Sequence, residues 1–413
     1  MTAIDWTRNQ RVPRCVAGLL AALRLPEGGA APRDCSPAEW KSALYCCDRH
    51  QMALLVRHVC GARLPEDVRR RLDRDYAHNR ERLRGVRQVY REAADALAAS
   101  GIECAVLKGF AGAAAYFPDP DARVQYDLDL YCPVAPYRAR DALVAAGYES
   151  VDSAEMSTTH LPPLVRKTGW QWRGDFFDPE IPVSIELHDR LWNDRFEAIP
   201  APGLEAFWER RLRLPEGCLA LDPVDALGHK ALHVLGHVLH GEVRAAHLYE
   251  LAYFLDTYAD DGELWRRWHD LHPRDLRALE SIAFRLAYAW FECRMHTSVM
   301  EELEHLPAAV ARWFDACAAS PAEALFRPNK DEVWLHLLLL GTVRDKAALL
   351  RRRLLPARLP GPLDSVFLPQ RDLTLRVRLR KRAQFARYAL GRAVFHLRAL
   401  APTLSRMASM LRR

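Results

Sequence analysis

The hydrophobic pattern of the chain changes twice, and these changes limit the folds that it can adopt. Apolar residues recur at helical spacing up to about residue 95 and again after about residue 200. The intervening segment contains short runs that alternate as β-strands do, with helical segments at 110–116 and 136–147 between them. A short stretch of strands between two helical regions predicts an α+β fold with one small mixed sheet.

The same pattern divides the 413 residues into four predicted parts. Residues 1–100 form an N-terminal helical region, and residues 101–200 form the core that contains the strands. Residues 201–350 form a C-terminal helical domain, and residues 351–413 form a proline-rich linker followed by a basic helical tail. Because no apolar run approaches the roughly 20 residues that a membrane-spanning helix needs, no transmembrane segment is expected.

The predicted strand at 124–132 carries two acidic residues at positions i and i+2. Side chains two residues apart on a strand point in the same direction, so Asp127 and Asp129 project together while Leu128 and Leu130 face the core. Two carboxylates held this close repel each other unless a cation lies between them. Asp127 and Asp129 are therefore candidate ligands for a Mg²⁺ ion that also binds a nucleoside triphosphate.

Two other segments carry residues that complete such a site. Glu186 and His188 alternate on the predicted strand at 183–188, and Glu186 becomes a third acid and a candidate general base if this strand lies beside the first. Gly109 follows a predicted strand and precedes a predicted helix, where phosphate can approach backbone N–H groups. Lys108 and Arg123 are expected to supply positive charge to the phosphates.

These residues and their order resemble the bacterial uncharacterised nucleotidyltransferase family, which belongs to the polymerase-β-like superfamily. The resemblance extends from about residue 40 to about residue 258 and is carried by Gly101-Ile-Glu-Cys-Ala-Val-Leu-Lys-Gly109, Tyr116-Phe-Pro-Asp-Pro120, Arg123, Asp127-Leu-Asp-Leu130 and Glu186-Leu-His188. It implies a nucleotidyltransferase core in which Asp127 and Asp129 bind the metal and Glu186 is a third acid. The phosphate loop, which is Gly-Ser or Gly-Gly in the wider superfamily, is Lys108-Gly109 here.

The resemblance implies an enzyme that moves a nucleoside monophosphate from a nucleoside triphosphate, expected to be ATP, with Mg²⁺ or Mn²⁺ as cofactor. The acceptor is a hydroxyl or phosphate group of a small molecule, peptide or glycan, because some family members accompany natural-product or polysaccharide biosynthesis. The alternative is a catalytically inactive nucleotide-binding or scaffold protein on the same fold. The presence of Asp127, Asp129 and Glu186 together favours the enzyme, since a scaffold does not need clustered carboxylates.

The helix predicted after residue 222 carries four histidines on one face, at His229, His233, His237 and His240. Histidines at helical HxxxH spacing can bind Zn²⁺, but the residues between them are apolar and no acidic ligand is placed by spacing. Packing or contact with a second substrate is therefore preferred over a dedicated metal site. His237 and His240, with His188, are expected to line the cleft opposite the carboxylates.

Ten cysteines occur without a CxxC pair, which is typical of reduced thiols and favours a cytoplasmic location. Residues 344–413 contain 18 Lys and Arg against 3 Asp and Glu, whereas the rest of the chain is acidic. Such a tail either contacts an anionic partner, such as the inner face of a membrane or a phosphorylated carrier, or packs on the acidic body. Nucleic acid is the least favoured partner, because no binding module accompanies the charge.

Overall fold

The computed structural model describes residues 1–26, 28, 31–32, 34–109, 112–151, 159–215, 217–354 and 375–412. The predicted α+β class is confirmed: one mixed sheet lies between helical regions on its N-terminal and C-terminal sides. No helix in the described ranges combines the length and the apolar character that crossing a membrane requires.

Seven strands form the sheet in the order β3-β4-β5-β2-β1-β7-β6. The central strands β2 and β5 run parallel, while β1 is antiparallel to β2 and parallel to β7. The strands are β1 Ala105–Val106, β2 Asp127–Tyr131, β3 Glu149–Ser150, β4 Leu164–Val165, β5 Ser184–His188, β6 Leu212–Arg213 and β7 Leu219–Ala220.

The helices fall into three groups along the chain. The first group precedes the sheet: α1 Arg14–Ala22, α2 Pro37–Arg49, α3 Ala53–Cys60 and α4 Glu66–Ala99. The second group lies among the strands: α5 Ala113–Tyr116, α6 Pro136–Ala145, α7 Asp194–Glu197 and α8 Ala206–Glu209. The third group follows the sheet: α9 Pro223–His240, α10 Ala245–Thr257, α11 Gly262–Leu271, α12 Arg274–Phe291, α13 Thr297–Glu304, α14 Ala308–Cys317, α15 Ser320–Glu323, α16 Asp331–Leu339, α17 Val343–Leu354 and α18 Leu375–Leu411.

Local sequence determines where the histidine-bearing helix α9 begins and ends. Asp222 precedes it, and its side chain accepts a hydrogen bond from the backbone N–H of Val224, which would otherwise lack a partner in the helix. Pro223 occupies the first helical position, where its missing N–H costs nothing. Gly241 ends the helix in the left-handed conformation with φ 71°.

The sheet separates two apolar cores. On one face, Leu128 and Leu130 of β2 and Ile185 and Leu187 of β5 pack with residues of α4 and α6. The larger core joins helices of the N-terminal group to α9, α10 and α12, and it includes Tyr131 of β2. The alternating polar residues of β2 and β5 therefore lie on the face opposite Leu128 and Leu130, because successive side chains on a strand point to opposite faces.

The expectation that every cysteine is a reduced thiol is wrong for one pair. Cys104 and Cys132 form a disulfide, with their Cα atoms 4.7 Å apart. Ala105 of β1 pairs with Tyr131 of β2 in the antiparallel register, and the two cysteines are the next residues beyond this pair. The strand pairing therefore brings together cysteines that are 28 positions apart in the sequence. The other eight cysteines carry free thiols. Cysteine spacing therefore does not by itself support a reducing compartment for this chain.

The tail helix α18 packs on the body through its C-terminal part. Arg406 contacts Glu323 and Asp331, and Thr403 accepts a hydrogen bond of 2.8 Å from the backbone N–H of Lys330. Ala399 is fully buried. The N-terminal part presents its described arginines to solvent at Arg380, Arg382, Arg387, Arg392 and Arg398. Of the two expectations for the tail, packing on acidic residues therefore describes Arg406 near its end, whereas the first part of the tail carries five exposed arginines.

A buried histidine–carboxylate cluster makes the stability of the helical region depend on pH. His272 Nε2 lies 3.2 Å from Asp225 Oδ1, and its Nδ1 lies 2.8 Å from Glu280 Oε1. Arg210 also pairs with Asp225, and Trp268 Nε1 donates to Glu280. Burial opposes protonation, but Glu280 and Asp225 outweigh it and raise the pKa of His272 to about 9.

Replacing His272 is expected to destabilise the protein at neutral pH and much less at alkaline pH. A folded pKa above the unfolded value of 6.5 stabilises the fold fully below pH 6.5, and this contribution of about 3 kcal/mol is lost as the pH rises through 9. Denaturation midpoints of wild type and His272→Gln, measured between pH 6 and 10, should converge as pH rises. His269→Gln, at an exposed position of the preceding helix, is the control. A difference between wild type and His272→Gln that does not change with pH would contradict the prediction.

Candidate active site

The parallel pairing of β2 with β5 brings the predicted acids together. Asp129 is directly opposite Glu186 in this register, and Asp127 is opposite Ser184. Parallel partners point to the same face of a sheet, so Asp127, Asp129 and Glu186 form one acidic cluster on the face turned away from Leu128 and Leu130. The expectation that the strand bearing Glu186 lies beside the strand bearing the two aspartates is confirmed.

Asp129 is the most tightly held member of the acidic cluster. Its Oδ1 is 2.9 Å from His188 Nε2 and 3.2 Å from Lys108 Nζ, and the residue is only 3% exposed. Burial alone would raise the pKa of Asp129, but Lys108 and His188 outweigh burial and hold that pKa below its usual range. Asp129 therefore remains an anion with fixed oxygens, which is the state a metal ligand needs.

The negative charge of Asp127 is compensated less by neighbouring groups than the negative charge of Asp129. Burial raises its pKa, and the negative charge of the neighbouring Asp129 raises it further, although Lys108 opposes both effects. The backbone oxygen of Asp127 accepts a hydrogen bond of 2.8 Å from the Gln125 side chain, which holds the start of β2. Asp127 resists ionisation because two negative charges lie close together with too little positive charge between them.

Glu186 and His188 extend the cluster along β5. Glu186 Oε2 lies 3.4 Å from His160 Nε2 and 4.0 Å from His188 Nε2. His188 Nδ1 is 3.0 Å from the hydroxyl of Thr159. The sequence placed His188 in the cleft but did not predict its contact with Asp129. The i, i+2 spacing of Glu186 and His188 was the available indication that both face the aspartates.

One ligand atom each from Asp129, Glu186 and His188 lies within 4.8 Å of the other two. Burial lowers the pKa of His188, so its imidazole is neutral, and Nε2 donates the one N–H of the ring to the anionic Asp129. Lys108 Nζ lies 3.2 Å from Oδ1 of Asp129 in the acidic cluster. The oxygen-rich donor set of the three carboxylates fits a hard divalent cation such as Mg²⁺ or Mn²⁺.

The residues proposed for phosphate binding take two different positions. Lys108 lies at the acidic cluster, 3.2 Å from Asp129. Arg123 instead pairs with Glu250 of α10, at 2.9 Å between Nε and Oε1, and it is 8% exposed. Burial lowers the pKa of Arg123, and the charges of Asp127 and Asp129 oppose this shift. Arg123 therefore sits near the aspartates, but its guanidinium is already engaged by Glu250.

Gly109 has a conformational role in the turn after β1. Its φ is 81°, in the left-handed region that favours glycine, and a Cβ at this position would collide with the side-chain amide of Gln125. The predicted helix at 110–116 is confirmed over Ala113–Tyr116, which form α5, and residues 110–111 lie outside the described part. The turn at Gly109 thus brings the backbone close to Gln125, while phosphate binding there stays a prediction.

The histidines of α9 separate into two environments. His233 lies 3.4 Å from Lys108 Nζ, and the His237 ring lies 4.5 Å from the His233 ring, centroid to centroid. His240 turns elsewhere and is 2.9 Å from Glu197 Oε1 of α7. That His237 and His240 line the cleft stays a prediction, and Glu197 engages the side chain of His240. A further histidine, His247 of α10, joins His233 and His237, and the spacing on α9 gave no indication of it.

Comparison with known proteins identifies the family of the chain. Residues 36–292, more than half of the chain, match the family described as Uncharacterised nucleotidyltransferase. No curated protein and no solved structure matched the chain. The matched segment includes β2, β5 and both histidine-bearing helices, so it contains every residue of the acidic cluster. The chain therefore belongs to the uncharacterised nucleotidyltransferase family.

Proposed function

We propose that the protein transfers a nucleoside monophosphate from a nucleoside triphosphate, with ATP as the first candidate, to a hydroxyl or phosphate group of an acceptor molecule. The observation that carries the proposal is the parallel register that sets Asp129 opposite Glu186, with Asp127 two residues away on the same face. An inactive scaffold gains nothing from these acids, because like charges gathered on a buried face destabilise a fold unless a cation or a substrate uses them.

Asp127 and Asp129 are the proposed ligands of Mg²⁺ or Mn²⁺. A divalent ion, when bound, supplies positive charge to the triphosphate and activates a coordinated hydroxyl. His188 positions Asp129 through their 2.9 Å contact, and the Thr159 hydroxyl positions His188. Lys108 is the proposed contact for phosphate oxygens, because its ammonium lies beside the carboxylates, 3.2 Å from Asp129.

Glu186 is the proposed general base. It takes the proton of the acceptor hydroxyl while the acceptor oxygen attacks the α-phosphorus. The bond from that phosphorus to the oxygen that bridges the α- and β-phosphates breaks, and pyrophosphate leaves with the bridging oxygen. Glu186 suits this role because its side chain is 21% exposed and therefore reachable, whereas Asp129 is 3% exposed.

Gly109 and Arg123 complete the proposed nucleotide-binding residues, through different physical effects. Gly109 permits the close turn that follows Lys108. Arg123 contributes a buried positive charge behind Asp127 and Asp129, with Glu250 holding its guanidinium in place. We also propose that the acceptor is a small molecule, peptide or glycan. The exposed arginines in the first part of α18 offer a surface for an anionic carrier or membrane near a cytoplasmic enzyme.

The role of Glu186 provides the test of this function. Glu186→Gln is expected to lower turnover by roughly 10²-fold or more, because the proton acceptor is lost, while nucleotide affinity changes only a few-fold. Affinity is measured by calorimetry with each nucleoside triphosphate in the presence and absence of Mg²⁺. Turnover is measured as transfer of label from α-³²P-nucleotides to a metabolite extract.

Glu149→Gln is the matched control, since Glu149 lies on β3 of the same sheet, is exposed and pairs with Lys167. It should leave both turnover and affinity unchanged. Full turnover in Glu186→Gln would remove Glu186 from the mechanism. Failure of the wild-type protein to bind any nucleoside triphosphate in a metal-dependent manner would overturn the proposed function itself.

A further inference from the structure

Three histidines next to the acidic cluster form a separate group, here called the histidine cluster: His233 and His237 of α9 and His247 of α10. One ring nitrogen from each lies within 4.8 Å of the other two. His233 and His237 are four residues apart and thus share one face of α9, while the packing of α10 against α9 brings His247 to them. The packing of two helices therefore brings three imidazole side chains close together.

The histidines of the cluster are uncharged, which is the protonation state that a metal ligand requires. Burial lowers the pKa of His233, His237 and His247 well below the usual value, and nearby cations, including Lys108 and Arg244, lower it further. All three imidazoles are therefore neutral at physiological pH. His247 is 9% exposed, and its Nδ1 is buried without a hydrogen-bond partner among the described residues. A buried ring nitrogen with no partner is costly unless something binds there.

The distances between the rings agree with tetrahedral coordination. At a Zn–N distance of about 2.1 Å, three imidazoles in tetrahedral positions have ring centroids roughly 5.2 Å apart. The observed separations are 4.5 Å for His233 and His237, 5.2 Å for His233 and His247, and 5.4 Å for His237 and His247.

Lys108 is the neighbour that could oppose a cation here. Its Nζ is nearly equidistant from the two nitrogens of His233, at 3.4 Å and 3.5 Å, so it does not lie along the lone pair of either nitrogen. It is closer to Asp129 Oδ1, at 3.2 Å, which neutralises its charge. Lys108 therefore leaves the His233 lone pair available.

We propose that His233, His237 and His247 bind one divalent transition metal of the zinc class, with a fourth position left for water or an oxygen of a bound substrate. Three protein ligands and one open position are typical of zinc sites that act on a ligand, whereas closed four-ligand sites are structural. Imidazole nitrogens favour zinc-class ions over Mg²⁺, so this site differs in ligand chemistry from the acidic cluster. The inference does not depend on the proposed nucleotidyl transfer.

The test is spectroscopic titration of the metal-free, full-length protein with Co²⁺, which replaces Zn²⁺ and shows intense visible bands in tetrahedral sites. Wild type is expected to bind about one equivalent with tetrahedral bands that stoichiometric Zn²⁺ abolishes. His237→Ala and His247→Ala should each weaken this binding by roughly tenfold or more, because one of three ligands is lost. His247→Cys should keep the site and add a thiolate-to-cobalt charge-transfer band.

Two controls separate this site from its surroundings. His240→Ala removes a histidine of the same helix that pairs with Glu197 instead, and it should leave the Co²⁺ spectrum unchanged. Glu186→Gln alters the acidic cluster without removing the carboxylate that pairs with Lys108, and it should also leave the tetrahedral bands in place. The proposal is overturned if wild type shows no tetrahedral bands at one equivalent, if His247→Ala retains them, or if Glu186→Gln abolishes them. The wild-type titration alone decides the question if a histidine variant fails to fold.

Discussion

Asp129→Asn is expected to lower the rate of nucleotidyl transfer by at least ~10³-fold, which corresponds to about 4 kcal/mol in the activation free energy. Asparagine keeps the size of the side chain but removes the charge that Lys108 and His188 both contact. It also leaves one neutral amide where the proposed metal site needs an anionic ligand. Asp127→Asn should have an effect in the same direction, because both carboxylates are proposed to hold the same ion.

Label transfer from α-³²P-nucleotides and calorimetry of metal–nucleotide binding measure this effect. Asp141→Asn is the matched control, because Asp141 is exposed on α6 and pairs only with its neighbour Arg140 among the ion pairs of the described residues. Thermal unfolding of each variant shows whether a loss of activity reflects a loss of fold. Metal-dependent nucleotide binding by the Asp127→Asn/Asp129→Asn double variant at wild-type strength would rule out the aspartates as the metal site.

Glu250→Gln is expected to lower the free energy of unfolding by about 3–5 kcal/mol, since it removes the buried anion that Arg123 and Lys230 share. All three side chains are at most 10% exposed. Burial lowers the pKa of Lys230, and Arg123 and Lys108 lower it further, so Lys230 can respond by losing its proton. Arg123 cannot do so, because a guanidinium stays charged in proteins.

Chemical denaturation of wild type and Glu250→Gln at pH 7 measures the effect. Glu263→Gln is the control, because it makes the same change in the exposed pair with Arg266, and it should leave the denaturation midpoint nearly unchanged. Since Arg123 also lies behind the aspartates, Glu250→Gln is expected to disturb the acidic cluster as well. A variant as stable as wild type would mean that Glu250 does not compensate the two buried cations.

Local periodicity was enough to predict the class of fold and the core of the site. Alternation along a strand is a property of the backbone, so the shared face of Asp127 and Asp129 and the inward direction of Leu128 and Leu130 followed directly from residue spacing. The same reasoning correctly paired Glu186 with His188 on one face of β5. The resemblance of these motifs to a known family is confirmed by the match over residues 36–292.

Helical spacing was a weaker guide, for a geometric reason. A step of four residues advances a helix by slightly more than one turn, so His229, His233 and His237 stay on one stripe of α9. The step of three returns His240 to the same stripe, but His240 is the last residue of α9, and its side chain meets Glu197 of α7 there. Spacing within α9 could not reveal which neighbouring element faces each histidine.

The contacts that the sequence alone did not determine are those between residues far apart in the chain. The disulfide between Cys104 and Cys132, the pairing of Arg123 with Glu250, and the position of His247 beside His233 each depend on how separate elements pack. The type of a residue determines what its side chain can bind. The periodicity of its helix or strand determines the direction in which the side chain points. Only the burial of apolar surface between elements decides which partner it meets, because that free energy is summed over the whole core and not over any one segment.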